Sequence, residues 1–175
     1  MQDVNVIRPN GSLDAALEQH RLAVDRETVR VLGFPKHLFE FGIEIDRKML
    51  VNRETAMSVT VDLLTGTCRK NDIYPEVQPR SVSSTSLLNP RLGLETAAET
   101  AYSFIRRQIN RRYKPFTTPD IQTARDETVF KLFWIVPTSP PGKVDVIDTI
   151  THQLTAQDVT LDEFTEKSAT EPLDR

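Results

Sequence analysis

Val129-Phe130-Lys131-Leu132-Phe133-Trp134-Ile135-Val136 is apolar on both of its alternating faces. Phe130, Leu132, Trp134 and Val136 share one face. Val129, Phe133 and Ile135 share the other with Lys131. A run of aromatic and β-branched residues with this pattern predicts a central strand, covered on both sides. Downstream, Pro137-Thr138-Ser139-Pro140-Pro141-Gly142 reads as a rigid hairpin loop, and Lys143 to Ile150 as the return strand. Upstream, Thr117 to Arg125 reads as loop.

Before that loop, Leu94, Ala98, Ala101, Ile105 and Ile109 recur at helical spacing, and Pro115 and Pro119 forbid continuation. The spacing predicts a helix from Leu94 to Tyr113. Residues 73–92 hold three prolines and five Ser/Thr, the composition of a linker.

The N-terminal half runs in the same order. After an extended lead-in and the turn Pro9-Asn10-Gly11, Ser12 is a good N-cap for a stripe of Leu13, Ala16, Leu17, His20 and Val24. The helix is expected to span Leu13 to Val24. Thr28 and Val31 extend the stripe toward Leu32, and Gly33 and Pro35 set its latest end. Phe39-Glu40-Phe41-Gly42-Ile43-Glu44-Ile45-Asp46 alternates strictly, as a half-buried strand does. Met49 to Val51 offers a continuation or a second short strand. Met57, Val59, Val61 and Leu63 alternate again up to the turn Thr65-Gly66, and Cys68 to Asp72 offers a return.

The expected fold is α+β: two helix-plus-antiparallel-sheet halves, residues 1–80 and 81–157, sharing one sheet as a pseudo-repeat. From Asp158 onward, six acids against Lys167 and Arg175 read as an acidic, mobile tail with one docking turn at Val159, Leu161 and Phe164. Two alignments support the repeat. Leu13-Asp14-Ala15-Ala16-Leu17-Glu18 matches Leu94-Glu95-Thr96-Ala97-Ala98-Glu99, and Val61-Asp62-Leu63-Leu64-Thr65-Gly66 matches Ile147-Asp148-Thr149-Ile150-Thr151-His152. An Asp at such a corner accepts backbone N–H groups where the strand reverses. The offsets differ, 81 residues for the helices and 86 for the turns, so duplication and coincidence both account for the match.

The strand-turn Val59-Thr60-Val61-Asp62-Leu63-Leu64-Thr65-Gly66, preceded by a helix and an alternating strand, resembles the PepSY-type domain. The second half is similar, with His152 in the place of the glycine. The resemblance implies a helix packed on a small antiparallel sheet, a role in binding or inhibiting partners rather than catalysis, and export.

At 175 residues with 38% hydrophobic and 27% charged residues, the chain has ordinary globular composition. A net charge of −3 argues against a generally basic nucleic-acid binder. Met1 to Asn10 carries Asp3 and Arg8 and no apolar run, so no secretory signal is read there. No window reaches a membrane span, and the cytoplasm is the expected compartment.

No G-x-S-x-G, Walker-type or G-x-G-x-x-G sequence occurs. His20, His37 and His152 form no metal-spaced pair, and the Asp148/His152 spacing falls at a turn. No metal or cofactor is expected. Cys68, the sole cysteine, precedes Arg69 and Lys70, which would lower its pKa if it were exposed. A dispersed enzyme site would join Cys68 to His37 or His152. Glu44 and Asp46 read as a solvated sheet face.

Arg106, Arg107, Arg111, Arg112 and Lys114 cluster at the end of the second helix, edged by Tyr102 and Tyr113. Such a face suits phosphates and bases. The bland alternative is dipole compensation by cations in a last turn. Two functions are therefore expected. The first is a non-catalytic binding or assembly module, with protein partners or self-association through Trp134, Pro140 and Pro141. The second is nucleic-acid or anion binding through the arginine-rich helix.

Overall fold

The computed structural model describes residues 1–46, 53–115, 117–139 and 141–170. In order, these form β1 (Gln2–Ile7), α1 (Leu13–Gln19), β2 (Arg30–Ile45), β3 (Arg53–Asp62), β4 (Cys68–Asn71), β5 (Val77–Val82), α2 (Leu94–Tyr113), β6 (Asp120–Pro137), β7 (Val144–Asp148), β8 (Leu154–Val159) and α3 (Leu161–Thr170). The fold is α+β. Strands hydrogen-bond in the order β4-β3-β2-β6-β1-β5, with β7 on β6 and β8 on β7. No described helix is long and apolar enough to cross a membrane.

The chain divides into two compact units. One holds Met1–Pro35, Glu76–Pro90 and the chain from Val129 onward; the other holds Lys36–Pro75 and Arg91–Thr128. The units interleave in sequence because β2, with 16 residues, and β6, with 18, each give one stretch to each unit. Strands of ordinary length, about 5–6 residues, would not serve two cores.

In the α2 unit, helix and sheet meet along one stripe. Ala97, Ala101, Ile105 and Ile109 are fully buried, four residues apart. They pack on Phe39, Phe41, Ile43 and Ile45 of β2 and on Met57, Val59 and Val61 of β3. Alternate strand residues face the helix, as the period of two requires, and the antiparallel register sets Phe39 opposite Val59 and Phe41 opposite Met57. The alanines let the helix axis approach the sheet, and each large side chain buried contributes about 1.5–3 kcal/mol. Leu94 and Ala98, expected in the stripe, are exposed. Glu40, Gly42 and Glu44 lie on the opposite sheet face and are not buried.

In the other unit, both faces of β6 are covered. Ala16 and Leu17 of α1 pack with Trp134, Val136 and Ile147. On the opposite face, Phe34, Phe133 and Phe164 meet edge to face, with centroids 5.0, 5.7 and 6.1 Å apart. Such pairs add about 0.5–1.5 kcal/mol beyond their area. The helix α1 begins where expected, the Ser12 hydroxyl accepting from the Ala15 N–H at 3.3 Å. It ends at Gln19 rather than Val24, because Arg21 turns left-handed (φ 55°) and the Leu22 N–H returns to the Leu17 carbonyl at 2.9 Å.

Three segments depart from their sequence reading. The linker contains β5, paired with β1 from Gln2↔Val82 to Ile7↔Val77. Pro79 is tolerated because β5 ends the sheet order. The loop before the central strand is the start of β6. The acidic tail is helical over Leu161–Thr170, with Phe164 and Ser168 buried. A reciprocal cap starts that helix: the Glu163 carboxylate accepts the Thr160 N–H at 2.8 Å, and the Thr160 hydroxyl accepts the Glu163 N–H at 3.2 Å. Residues 171–175 and Met49 to Val51 lie outside the described residues.

The two aspartate corners are built alike. Asp62 Oδ1 accepts the N–H groups of Leu64 (2.8 Å) and Thr65 (3.1 Å), and Oδ2 binds Lys36. Asp148 Oδ1 accepts those of Ile150 (2.8 Å) and Thr151 (3.4 Å), and Oδ2 lies 2.9 Å from Lys131 Nζ. All four charged residues are buried. Gly66 (φ 74°) and His152 (φ 57°) take the left-handed position at each corner.

Candidate functional site

The second half of α2 carries the densest charge in its unit. Arg106, Arg107, Arg111, Arg112 and Lys114 are all exposed, and Tyr102 is 39% exposed. Among the described residues none of these five cations forms an ion pair with a carboxylate. Tyr113 is half-buried against the helix-sheet core, with the Arg53 and Arg112 guanidinium carbons 5.0 and 5.4 Å from its ring centroid. Both distances are within cation–π range. Arg53 lies 60 residues before Tyr113, so no local pattern announced it.

Helix-dipole compensation accounts for part of this cluster. It stabilises a last-turn cation by about 0.3–1 kcal/mol and fades beyond that turn. Arg111 and Arg112 lie in that turn, whereas Arg106 and Arg107 do not. Arg107 and Arg111, four apart, repel by about 0.2–0.5 kcal/mol. The free protein therefore holds a cluster of like charges that an anion would relieve.

The other sequence candidates lie elsewhere. Cys68 on β4 packs against the α2 core, and burial pushes its thiol up to about 12, offset in part by Arg107. The condition for a lowered pKa, an exposed thiol beside Arg69 and Lys70, is not met, and burial outweighs the Arg107 charge. His37 does not meet it. Val61 stands between them in register, opposite both, which puts them about two strand spacings, ~10 Å, apart. Instead, His37 is buried with Nδ1 2.8 Å from the Thr128 hydroxyl and Nε2 3.2 Å from an Asp126 carboxylate oxygen. His20 Nε2 binds the His152 carbonyl at 2.6 Å, and the His152 ring packs 5.6 Å from that of Trp134. No group of described residues has the makings of a metal site.

Glu44 faces Glu54 directly across β2 and β3, and both border an open groove with Asp120 and Gln122. Asp46 is exposed past the end of β2. Trp134, expected near a surface loop, is only 7% exposed and belongs to the α1 core. Pro141 is exposed in the β6–β7 turn, and Pro140 lies outside the described residues. No protein-family model, curated protein or solved structure matches this chain.

Proposed function

We propose that this chain is a non-catalytic binding module that takes single-stranded nucleic acid on the C-terminal half of α2. The observation that carries the reading is the set of five exposed cations unpaired among the described residues, beside the accessible Tyr102 ring. Cations neutralise phosphates, and an exposed aromatic ring stacks a base for about 1–3 kcal/mol. With a net charge of −3, the rest of the surface repels the same polyanion, which restricts docking to this face. The resemblance to PepSY-type domains, which bind partners rather than catalyse, agrees with a binding role.

Fluorescence anisotropy with a labelled oligothymidylate tests this. Five phosphate contacts give a slope of log K against log salt of about −3.5, a loss of roughly a hundredfold from 50 to 200 mM salt. Replacing both Arg107 and Arg111 with Glu abolishes binding, and Tyr102→Ala weakens it about tenfold. A flat salt response, or unchanged binding by the double variant, would overturn the reading.

A second reading is assembly with another copy of the chain along β6. Between Asp120 and Thr128 only Ile121 and Glu127 are not exposed. On the side away from β2, described pairing with β1 is limited to Val6 with Phe130. Antiparallel self-pairing there would add a ladder of backbone hydrogen bonds along this stretch. Sedimentation velocity at tens of micromolar would then give a dimer that Thr123→Pro dissociates. A monomer at that concentration removes the idea.

A further inference from the structure

We propose that the groove over Trp134 binds a small anion with an apolar body, such as an aromatic carboxylate or sulfonate. The groove lies wholly in the unit that carries the chain's N-terminus, and the inference does not depend on the nucleic-acid reading. Its volume is about 440 Å³, within the range of small-molecule sites. Trp134, Leu13, Val29 and Val31 supply an aromatic and aliphatic lining, while Arg8 and Arg80 supply charge. Among the described residues no Asp or Glu lines it.

The two arginines are not equally committed. Arg8 spends one guanidinium nitrogen on Glu76 at 2.5 Å. Arg80 is exposed on β5 and forms no ion pair with a described carboxylate. Gln78 stands two residues away on the same strand face and adds a neutral donor. The accessible lining is more polar than apolar, so charge leads recognition, and Trp134, Leu13, Val29 and Val31 add apolar contacts that suit a ligand with both parts. Inorganic phosphate lacks the body, and a neutral arene lacks the charge.

The wall at Gly11 is preformed. Gly11 sits at φ +93°, and a Cβ there would stand 2.7 Å from His152 Cε1. The His152 ring packs in turn against Trp134. Any side chain at position 11 forces the imidazole to shift, so the groove keeps a glycine wall backed by a fixed ring.

Trp134 is the only tryptophan, which makes its emission a direct reporter. Titration with 1-anilinonaphthalene-8-sulfonate, excited at the tryptophan band, yields saturable one-site energy transfer. Arg80→Glu weakens the probe at least tenfold, with far-UV circular dichroism unchanged. Arg80→Lys, which keeps the charge, retains most of the affinity. Naphthoate displaces the probe, whereas neutral naphthol and inorganic phosphate at the same concentration do not. Non-saturable binding, equal affinity in Arg80→Glu, or equal displacement by naphthol would overturn the assignment.

Discussion

Removing the Asp62 side chain tests the corner that ends β3. Asp62 is 6% exposed and its partner Lys36 is 4% exposed, so Asp62→Ala leaves a buried ammonium without its counter-charge. Breaking a buried pair from one side costs about 3–5 kcal/mol. The same change removes the acceptor for the Leu64 and Thr65 N–H groups, each bond worth about 1 kcal/mol. We expect Asp62→Ala to sit at the upper end, about 4–5 kcal/mol. Asp62→Asn keeps Oδ1 as acceptor for the turn but sets an NH2 donor against the Lys36 ammonium in place of Oδ2, so about 3 kcal/mol is expected, less than for Asp62→Ala because the turn bonds survive. Lys36→Met leaves the Asp62 carboxylate with its two backbone donors, and also costs less than Asp62→Ala. For a chain of this size 1 kcal/mol moves Tm by about 2–4 °C, so Asp62→Ala lowers Tm by roughly 10–15 °C. Urea titration followed by far-UV circular dichroism measures all three. If Asp62→Ala and Asp62→Asn agree within about 0.5 kcal/mol, the turn bonds contribute nothing. If both cost under about 1 kcal/mol, the buried pair is not a structural anchor.

Two further outcomes follow from titratable groups. With its thiol raised to about 12 by burial, Cys68 holds roughly one part in ten thousand as thiolate at pH 8, so the folded chain reacts with a disulfide reagent at least a hundredfold more slowly than the urea-unfolded chain. Equal rates would show that the thiol is not shielded. The Glu163 carboxyl is held below its usual range, first by the Thr160 N–H and hydroxyl and then by Lys143. A depressed folded pKa gives stability that is present above the unfolded carboxylate range, about 4.3, and lost as pH falls through the folded value. Glu163→Gln should therefore remove the acid-side loss of amide protection in α3, and identical acid limbs by hydrogen exchange would refute the cap.

Legibility followed the strength of local signals. The helix Leu94–Tyr113 agrees with its reading at both ends because Gly93 and Pro115 bracket a regular apolar repeat. Of its expected stripe Ala101, Ile105 and Ile109 are buried, and only the first turn differs: Leu94 and Ala98 are exposed, and Ala97 continues the four-residue spacing back from Ala101. The run Val129–Val136 was legible as covered on both sides because few other environments accept Phe133 and Trp134 as neighbours. Residues 120–128 carry no such signal. Their side chains are almost all polar or exposed, and pairing with β2 rather than periodicity makes them a strand. β5 was hidden by Pro79, and α3 by acids that obscured a single anchor, Phe164. Of the candidate face on α2, the five cations were legible, whereas Arg53 over Tyr113 needed the tertiary fold.

The paired corners separate two parts of the repeat signal. The Asp-led turn recurs in sequence and in hydrogen bonding: each Oδ1 takes the N–H groups two and three residues ahead. The lysines do not recur in register. Lys36 stands directly opposite Asp62, whereas the residue opposite Asp148 is Phe133 and Lys131 reaches in diagonally from two positions away. A copied unit carries its register with it, because a strand's pairing is set by the turn that joins it. The lysines are better explained by need. Oδ1 is spent on the turn, Oδ2 is buried, and a buried carboxylate oxygen demands a cation from whichever strand position can deliver one. Lys36 delivers it straight across the ladder and Lys131 along the diagonal, with its ammonium also 5.4 Å from the Phe133 ring. The chemistry of an inward-facing aspartate corner therefore accounts for both pairs whether or not the halves share an origin.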